Sequence, residues 1–268
     1  MILKKSDPSS IDKTADTLRN GGIVIIPTDT VYGFSGIVDL ANTETHFETD
    51  AKIRAMKGRA ETKPLIQLIA KPEDIRLYTD DKIPQALLDK WPGALTIIVH
   101  IKENSPLAAT AIPTSRTVAF RCPGDEWLRK IIELCNAPIF STSVNRSGQP
   151  VLDTTNSITQ EFENEVNLII DDGDKKGALP STLVTIENGT VKVLRQGSVL
   201  NLIRLFSSNL KFLLTSGRFF LFELFVFFIK HFLGTNRLFF LTTFNSLPAS
   251  IWFEFHSGSV IGKVGIKN

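Results

Sequence analysis

The sequence predicts an α/β fold whose sheet is of mixed direction, and three observations support this prediction. Short apolar runs rich in β-branched residues alternate with helical segments over the first 200 residues, which is typical of an α/β sheet. Stops such as Asn20-Gly21-Gly22 end these segments. Asn188-Gly189 then joins two strands in a hairpin, whose strands must be antiparallel.

Each element is predicted from its residue pattern and from the breakers beside it. Residues 23–26 are a β-branched run between glycine and proline, which indicates a buried strand. The other predicted strands cover residues 65–70, 95–101, 117–121, 139–143, 166–170, 183–186 and 191–194. The predicted helices cover residues 10–19, 44–56, 83–90 and 126–135.

The composition changes near residue 200, which predicts two segments of different kinds. Residues 1–200 hold 23 Lys and Arg against 26 Asp and Glu, whereas residues 201–268 hold 7 against 2. Of the 19 Phe residues, 14 lie beyond residue 200. We therefore expect a folded domain over residues 1–200 and a Phe-rich, basic C-terminal extension over residues 201–268.

Several common chemistries lack their sequence signatures. Cys122 and Cys135 are the only cysteines and form no Cys-x-x-Cys pair, so neither a disulfide framework nor a metal site is expected. The four histidines form no ligand-spaced pair, and the sequence holds no phosphate-binding P-loop or dinucleotide-binding glycine motif. Residues 1–8 include no apolar run of signal-peptide length, so a cytoplasmic location is expected.

Three polar segments beside predicted strands are candidates for ligand binding, because ligands of α/β sheets collect beyond strand ends. Residues 27–33 offer two threonine hydroxyls, and residues 141–148 offer hydroxyl and amide groups. Residues 57–65 place Lys57, Arg59 and Lys63 in what we expect to be an exposed loop, and a triphosphate needs several such cations. Taken alone, residues 27–33 fit a capped turn better and residues 57–65 fit a solvated basic loop better, whereas residues 141–148 fit a polar surface loop and a ligand site equally.

Seven stretches in a fixed order carry a more specific signal. They are Gly21-Gly22 with Pro27-Thr28-Asp29-Thr30-Val31-Tyr32-Gly33; Lys57-Gly58-Arg59 with Lys63-Pro64-Leu65; Trp91-Pro92-Gly93-Ala94-Leu95-Thr96; Thr117-Val118-Ala119-Phe120-Arg121; Ser141-Thr142-Ser143-Val144-Asn145-Arg146-Ser147-Gly148; Ser181-Thr182-Leu183-Val184; and Leu194-Arg195-Gln196-Gly197. Together they resemble the YrdC-type threonylcarbamoyl-AMP synthase family. The departures are small: Val144 stands where the family usually has alanine, Phe34-Ser35-Gly36 replaces Gly-Leu-Gly, and Leu68 stands where some relatives have histidine.

The resemblance implies a twisted open mixed sheet with flanking helices around a basic cleft. It also implies L-threonylcarbamoyladenylate synthase activity, a nucleotidyl transfer that joins L-threonine, bicarbonate and ATP, with Mg²⁺, into threonylcarbamoyl-AMP and pyrophosphate. A downstream threonylcarbamoyl transferase would then modify tRNA next to the anticodon. The threonine-binding residues would be Thr28, Arg121 and Ser181. The ATP-binding residues would be Lys57, Arg59, Thr117, Ser143, Asn145 and Arg195, with Lys63 a weaker candidate and no protein ligand for the metal.

Two other interpretations fit parts of the sequence. A carbamoyl-transfer domain of the hydrogenase-maturation type shares the fold, but such proteins are long chains with zinc-finger cysteines, and this chain has two isolated ones. A module that contacts tRNA or double-stranded RNA would also use a basic cleft. Against it, residues 1–200 are net acidic and show no aromatic RNA-binding signature.

The extension carries a separate prediction. Residues 219–233 are apolar on every side but are shorter than a membrane-spanning helix and contain Glu223, Lys230 and His231. No strand period or turn pattern organises residues 234–268. We therefore expect the extension to be dispensable for catalysis, to pack poorly and to associate weakly with membranes.

Overall fold

The computed structural model describes residues 1–40, 46–60, 64–107, 115–187 and 190–199, together with the backbone of residues 254–256 and 259–261. Ten strands within the first 200 residues form one sheet. They are β1 (Ile2–Lys4), β2 (Val24–Ile26), β3 (Gly33–Ser35), β4 (Ile66–Leu68), β5 (Leu95–His100), β6 (Thr117–Arg121), β7 (Ile139–Ser143), β8 (Leu168–Asp171), β9 (Thr182–Glu187) and β10 (Thr190–Arg195). Across the sheet they follow the order β1-β8-β2-β3-β7-β4-β6-β5-β9-β10.

The helices within the described residues connect these strands. They are α1 (Ser10–Arg19), α2 (Thr49–Lys57), α3 (Ile75–Tyr78), α4 (Gln85–Leu88), α5 (Glu126–Cys135) and α6 (Thr155–Phe162), with a 3₁₀ turn at Pro72–Asp74. Two of them begin at a side-chain cap: Asp125 accepts from the backbone N–H of Leu128, and Thr154 accepts from that of Ser157. Such caps satisfy amide groups that have no partner within the helix.

The strand pairings make the sheet mixed, as the sequence predicts. β2 is parallel to β8 and antiparallel to β3, and β4 is parallel to β6 and antiparallel to β7. β5 is parallel to β9, and the predicted hairpin is the antiparallel pair β9–β10, with Thr190 opposite Glu187. The expected α/β fold is therefore confirmed.

The two faces of the sheet bury different cores, because successive side chains of a strand point to opposite faces. Phe120 and Phe140 belong to the core that α2, α3, α4 and α6 cover. The other face carries a second core, which α1 and α5 cover. Since Arg121 follows Phe120, and Ser143 lies three residues beyond Phe140, both polar side chains lie on the α1–α5 side of the sheet. Thr96, between the buried Leu95 and Ile97 of the first core, lies on that side as well.

Several elements differ from their predicted extent. β1, β3, α3 and α6 were absent from the sequence-based assignment, because each is short and none is a long periodic run. The helix expected at residues 83–90 is a single turn, Gln85–Leu88, between Pro84 and the Trp91-Pro92 stop. The helix expected at residues 44–56 begins at Thr49 and extends to Lys57, so Lys57 lies in a helix and not in a loop.

The chain divides into two compact units, residues 1–206 and residues 207–268. In the second unit, β11 (Glu254–His256) and β12 (Ser259–Ile261) form an antiparallel pair, although no strand is predicted there. Residues 219–233 lie outside the described residues, so the expectations for the extension stay predictions, as does a domain boundary at residue 200. Within the described part of the chain, no helix has the length and apolar character needed to cross a membrane.

Gly197 provides a test of how closely the end of β10 packs on the segment before β9. A Cβ atom on Gly197 would lie 2.1 Å from the carbonyl oxygen of Pro180 and 2.6 Å from that of Ser181. Because backbone cannot move aside as a flexible side chain can, we expect Gly197→Ala to lower the free energy of unfolding by about 2 kcal/mol or more. Urea unfolding of the full chain measures it.

The control for this prediction is Gly177→Ala. Gly177 has a left-handed backbone, with a φ of 70°, and a Cβ atom there would meet nothing within 4 Å. Its replacement should cost only the left-handed backbone strain, about 1 kcal/mol. A Gly197→Ala variant no less stable than the Gly177→Ala variant would contradict the close approach.

Candidate functional site

The loop after β2 folds back on itself and presents a hydroxyl to Arg121. Thr28 Oγ1 donates to the carbonyl oxygen of Val31 at 2.7 Å and accepts from the backbone N–H of Thr30 at 3.1 Å. The Thr28 and Thr30 hydroxyls lie 2.9 Å apart. Since the Thr28 proton is used by Val31, Thr30 is the donor in this pair, and the hydrogen-bonding capacity of the Thr28 hydroxyl is filled within the loop.

Arg121, the last residue of β6, is 4% exposed and is held by three acceptors. Its Nε donates to the carbonyl oxygen of Gly93 at 3.0 Å, its Nη1 donates to Thr30 Oγ1 at 2.8 Å, and its Nη2 forms an ion pair with Asp29. A guanidinium group has five N–H donors. One N–H on each terminal nitrogen therefore has no partner among the described residues.

Ser181 and Arg195 form a second group of contacts, at the start of β9 and the end of β10. The guanidinium of Arg195 donates from Nη2 to the backbone oxygen of Ser181 at 2.9 Å and approaches its Oγ at 3.3 Å. Arg195 Nη1 makes no hydrogen bond to a described residue. Thr96 of β5 is fully buried, and its Oγ1 lies 2.7 Å from Ser181 Oγ.

Backbone contacts bring Arg121 and Arg195 to neighbouring parts of the site. Arg121 Nε donates to the carbonyl oxygen of Gly93, and the next carbonyl oxygen, that of Ala94, accepts from the backbone N–H of Thr182, which follows the Ser181 that Arg195 contacts. Burial lowers the pKa of Arg195, and the charge of Arg121 lowers it further. Burial also lowers the pKa of Arg59, with the charges of Arg54 and Arg195 adding to the effect. Like charges gathered in this way favour a multiply charged anion beside them.

The sequence predicts Lys57 in an exposed loop, and this prediction is wrong. Lys57 is only 2% exposed and is the last residue of α2. Its Nζ donates to the carbonyl oxygen of Ser143, to that of Asn145 at 2.8 Å, and to Asn145 Oδ1 at 2.9 Å. An ammonium group has three N–H donors, so all three are used. Its Nζ also lies 5.4 Å from the centre of the Phe34 ring. Burial, reinforced by Arg59, lowers its pKa to about 8.

The turn that Lys57 holds is itself closed by side-chain contacts. Ser143 Oγ donates to Asn145 Oδ1 at 2.7 Å, and Asn145 Nδ2 donates to the backbone oxygens of Arg146 and Gln149, both at 2.8 Å. The Asn145 amide has therefore filled its hydrogen bonds within the protein. Ser143 Oγ only donates, so its lone pairs stay available to a donor. The bonds of Asn145 fix the backbone conformation of the turn.

The sheet register brings Thr117 and Ser143 to the same end of the molecule. Ile66 of β4 pairs with Ala119 on one side and Ser141 on the other. Extended two residues back along β4, from Ile66 to Pro64, the same register places Thr117 on one side of Pro64 and Ser143 on the other. The carbonyl oxygen of Pro64 accepts from Arg59 Nη2 at 2.9 Å. Four residues of strand separate Thr117 from Arg121, or about 13 Å. The predicted site residues therefore extend along the sheet, with Thr117 and Ser143 at one end and Arg121 at the other.

Some predicted residues do not join these groups, and some contacts were missed. Lys63 lies outside the described residues. Thr117 is bonded only to Ser115 among described side chains, at 2.7 Å between the hydroxyls. The missed residues are Asp29 and Thr30, which hold Arg121, and Thr96, which supports Ser181. A sequence signal existed for Thr96, because a hydroxyl between two apolar residues of a buried strand needs a specific partner.

The described residues offer no preformed metal centre and no reactive thiol. No group of three or more His, Cys, Asp or Glu side chains among them could hold a metal ion. Burial raises the pKa of both Cys122 and Cys135 to about 12, which keeps these thiols protonated. The carboxylate of Asp29 is already paired with Arg121. The chemistry of this region therefore depends on guanidinium, ammonium and hydroxyl groups.

Comparison with known proteins shows which family this chain belongs to. The sequence model of the Sua5/YciO/YrdC family, described as telomere recombination, matches residues 16–197. A threonylcarbamoyl-AMP synthase of Pyrococcus abyssi is 32% identical over 69% of this chain and 53% of its own length. One of Bacillus subtilis is 31% identical over 74% of this chain and 56% of its own length. The chain thus spans about half the length of these curated relatives.

A solved structure carries the same likeness. The crystal structure of Pyrococcus abyssi Sua5 complexed with L-threonine superposes with a TM-score of 0.59 at 31% identity, over 70% of this chain and 54% of that one. The family match covers well over half of the 268 residues and spans the strands that carry the candidate site. The chain therefore belongs to the Sua5/YciO/YrdC family.

Proposed function

We propose that this chain is an L-threonylcarbamoyladenylate synthase, a nucleotidyltransferase that forms threonylcarbamoyl-AMP and pyrophosphate from L-threonine, bicarbonate and ATP. The observation that carries the proposal is the placement of Arg121, ion-paired with Asp29, beside the segment where Ser181 contacts Arg195, while the charge of Arg195 also acts on Arg59. Three fixed cations in one region suit a triphosphate together with a carboxylate. The relatives named above support the same reaction.

Threonine would bind at the Arg121 end of the site. The two remaining N–H groups of Arg121, one on each terminal nitrogen, match the two oxygens of a carboxylate. Ser181, held beside Arg195, would supply a hydroxyl contact. Thr28 would act through the shape of its loop, because its hydroxyl is fully used by Val31 and Thr30. That loop in turn positions Arg121.

ATP would bind with its triphosphate toward Arg59, Arg195 and Ser143. Lys57 would act by its charge and by fixing the Ser143–Asn145 turn, because its three N–H groups already have acceptors. Thr117 lies at the same end, and Lys63 stays the weaker candidate. Mg²⁺ would enter with ATP as part of the substrate, held by phosphate oxygens and water, since the nearby Asp29 is paired with Arg121.

The reaction asks the protein for positioning and charge stabilisation. The threonine amine adds to bicarbonate with loss of water and gives a carbamate. A carbamate oxygen then bonds to the α-phosphorus of ATP while the bond from that phosphorus to the pyrophosphate oxygen breaks. Negative charge develops on the phosphoryl oxygens and the leaving pyrophosphate, and fixed cations stabilise it. Holding the carbamate and the α-phosphate in line contributes the remaining rate enhancement.

The wider context stays part of the proposal. Transfer of the product to a downstream threonylcarbamoyl transferase, modification of tRNA next to the anticodon, contact with tRNA or double-stranded RNA, and a cytoplasmic location all come from the family resemblance. The proposed catalytic domain is residues 1–200. Neither the carbamoyl-transfer nor the RNA-binding alternative needs threonine, so a threonine-dependent reaction separates the three.

The direct test is pyrophosphate release. The full chain should release pyrophosphate from ATP only when both L-threonine and bicarbonate are present, and residues 1–200 alone should do so at a similar turnover. Release without threonine would contradict the proposed reaction. A truncated protein that is unfolded or inactive would instead show that the extension belongs to the working domain. Sedimentation with liposomes tests the membrane association, which we expect only for the full chain.

Substitutions of Lys57 and Arg59 should both impair the use of ATP, but they should lower the free energy of unfolding by different amounts. Lys57→Met leaves three partly buried oxygens without this donor, so we expect it to lower the free energy of unfolding by about 1–3 kcal/mol. Arg59→Ala removes a partly exposed side chain and should cost about 0.5 kcal/mol. Both should reduce the rate of pyrophosphate release on the order of a hundredfold.

Urea unfolding and turnover at saturating and subsaturating ATP measure these effects. Lys130→Ala on the solvent side of α5 is the matched control for loss of a lysine charge, since its only described bond is an exposed one to Glu133. Near-normal turnover of Arg59→Ala at both ATP concentrations would remove Arg59 from the triphosphate site. A Lys57→Met protein as stable as the wild type would contradict the internal role of Lys57.

Variants at the threonine end should change the apparent KM for threonine. Ser181→Ala should raise it and leave the KM for ATP little changed, because a site that hydrogen-bonds a substrate binds it more weakly when its partner is removed. Thr28→Val should have the same effect indirectly, because it frees the loop that positions Arg121. The measurement is the apparent KM for L-threonine and for ATP in each variant. If the KM for threonine stayed at the wild-type value in both variants, neither residue would support the threonine pocket.

A further inference from the structure

The hydroxyl groups of Thr96 and Ser181 form a buried pair whose proton direction can be worked out. Thr96 is fully buried, Ser181 is 3% exposed, and their oxygens lie 2.7 Å apart. Either oxygen could be the donor on distance alone. Arg195 Nη2 lies 3.3 Å from Ser181 Oγ and can only donate to it. Thr96 Oγ1 contacts no other polar atom of the described residues.

Two arrangements of the protons are possible, and burial separates them. If Ser181 donated to Thr96, the Thr96 proton would lie inside the sheet with no acceptor, and a buried donor without an acceptor is costly. If Thr96 donates, its proton is satisfied, and Ser181 Oγ accepts from both Thr96 and Arg195. Both lone pairs of Ser181 are then filled. The one hydrogen-bonding capacity left on Ser181 is its own O–H, which no described residue accepts.

We infer that Thr96 is a positioning residue that fixes Ser181 as a hydrogen-bond donor toward an acceptor oxygen of the bound ligand. This inference rests on the proposed function for the identity of that ligand, L-threonine. The threonine nitrogen must keep its lone pair to form the carbamate, so it is an unsuitable acceptor. Ser181 therefore donates to the hydroxyl or a carboxylate oxygen of threonine, and it does not accept from the ammonium group.

The test is a double-mutant cycle in the full chain, with Thr96→Val, Ser181→Ala and the double variant. Calorimetric titration with L-threonine should show a loss of affinity of about five- to tenfold for Thr96→Val, because Ser181 loses its fixed orientation. Thr96→Ser, which keeps the hydroxyl, should restore wild-type affinity. The KM for ATP should stay unchanged in both variants, which a general loss of structure would not allow.

The double-mutant cycle also compares the effect of Thr96→Val on the melting temperature with and without the Ser181 hydroxyl. In the Ser181→Ala background the Thr96 hydroxyl has lost its acceptor, so adding Thr96→Val should raise the melting temperature and cause no further loss of threonine affinity. In the wild-type background the same substitution should not raise the melting temperature. Thr96→Ala serves as the second variant if Thr96→Val does not fold.

Two results would overturn the inference. One is wild-type threonine affinity in Thr96→Val, and the other is an equal loss of affinity from that substitution with and without the Ser181 hydroxyl. Failure of the proposed function looks different: the wild-type chain would release no pyrophosphate in response to threonine, or would bind no threonine. The melting-temperature arm would still report the proton direction between Thr96 and Ser181 in that case.

Discussion

The interaction on which the site depends is the burial of two cations, Arg121 and Lys57. A buried charge is tolerated only when acceptors surround it. The loop after β2 turns inward to place Asp29 and Thr30 on Arg121, and the turn after β7 closes its oxygens around Lys57. The two loops are shaped by these demands. Each is therefore rigid where a ligand would touch it, without secondary structure of its own.

Counting donors and acceptors divides the candidate residues into two classes. Lys57, Thr28 and Asn145 have filled their side-chain hydrogen bonds inside the protein, so they hold the site together. Arg121, Arg195 and Ser181 keep groups that point to no described partner, so they can meet a ligand. Sequence motifs group all six residues without distinction. The difference is visible only in the folded structure, because it depends on which other groups form hydrogen bonds with each polar atom.

The fold was predicted well where its elements are long and periodic, and less well elsewhere. The hairpin β9–β10 follows from Asn188-Gly189, and α5 follows from its apolar period. β3 has only three residues and is a strand because β2 and β7 pair with both its edges, which no local pattern encodes. For the site, the motifs supplied the candidate residues, whose roles stay predictions. The burial of Lys57 could not be foreseen, since it results from a turn 86 residues away.

The order of strands in the sheet also has a consequence for how the molecule is made. β1 and β2 flank β8, so Ile2 pairs with Ile169 and Val24 with Leu168. On the ribosome, the first two strands therefore emerge long before the strand that separates them has been synthesised. Until then the backbone edges that face β8 have no partner, and such non-local pairing is slow to form and prone to aggregation. We expect the nascent chain to need protection, and α1, which packs on Val24 and Ile26 of β2, is the local element that can cover those apolar side chains first.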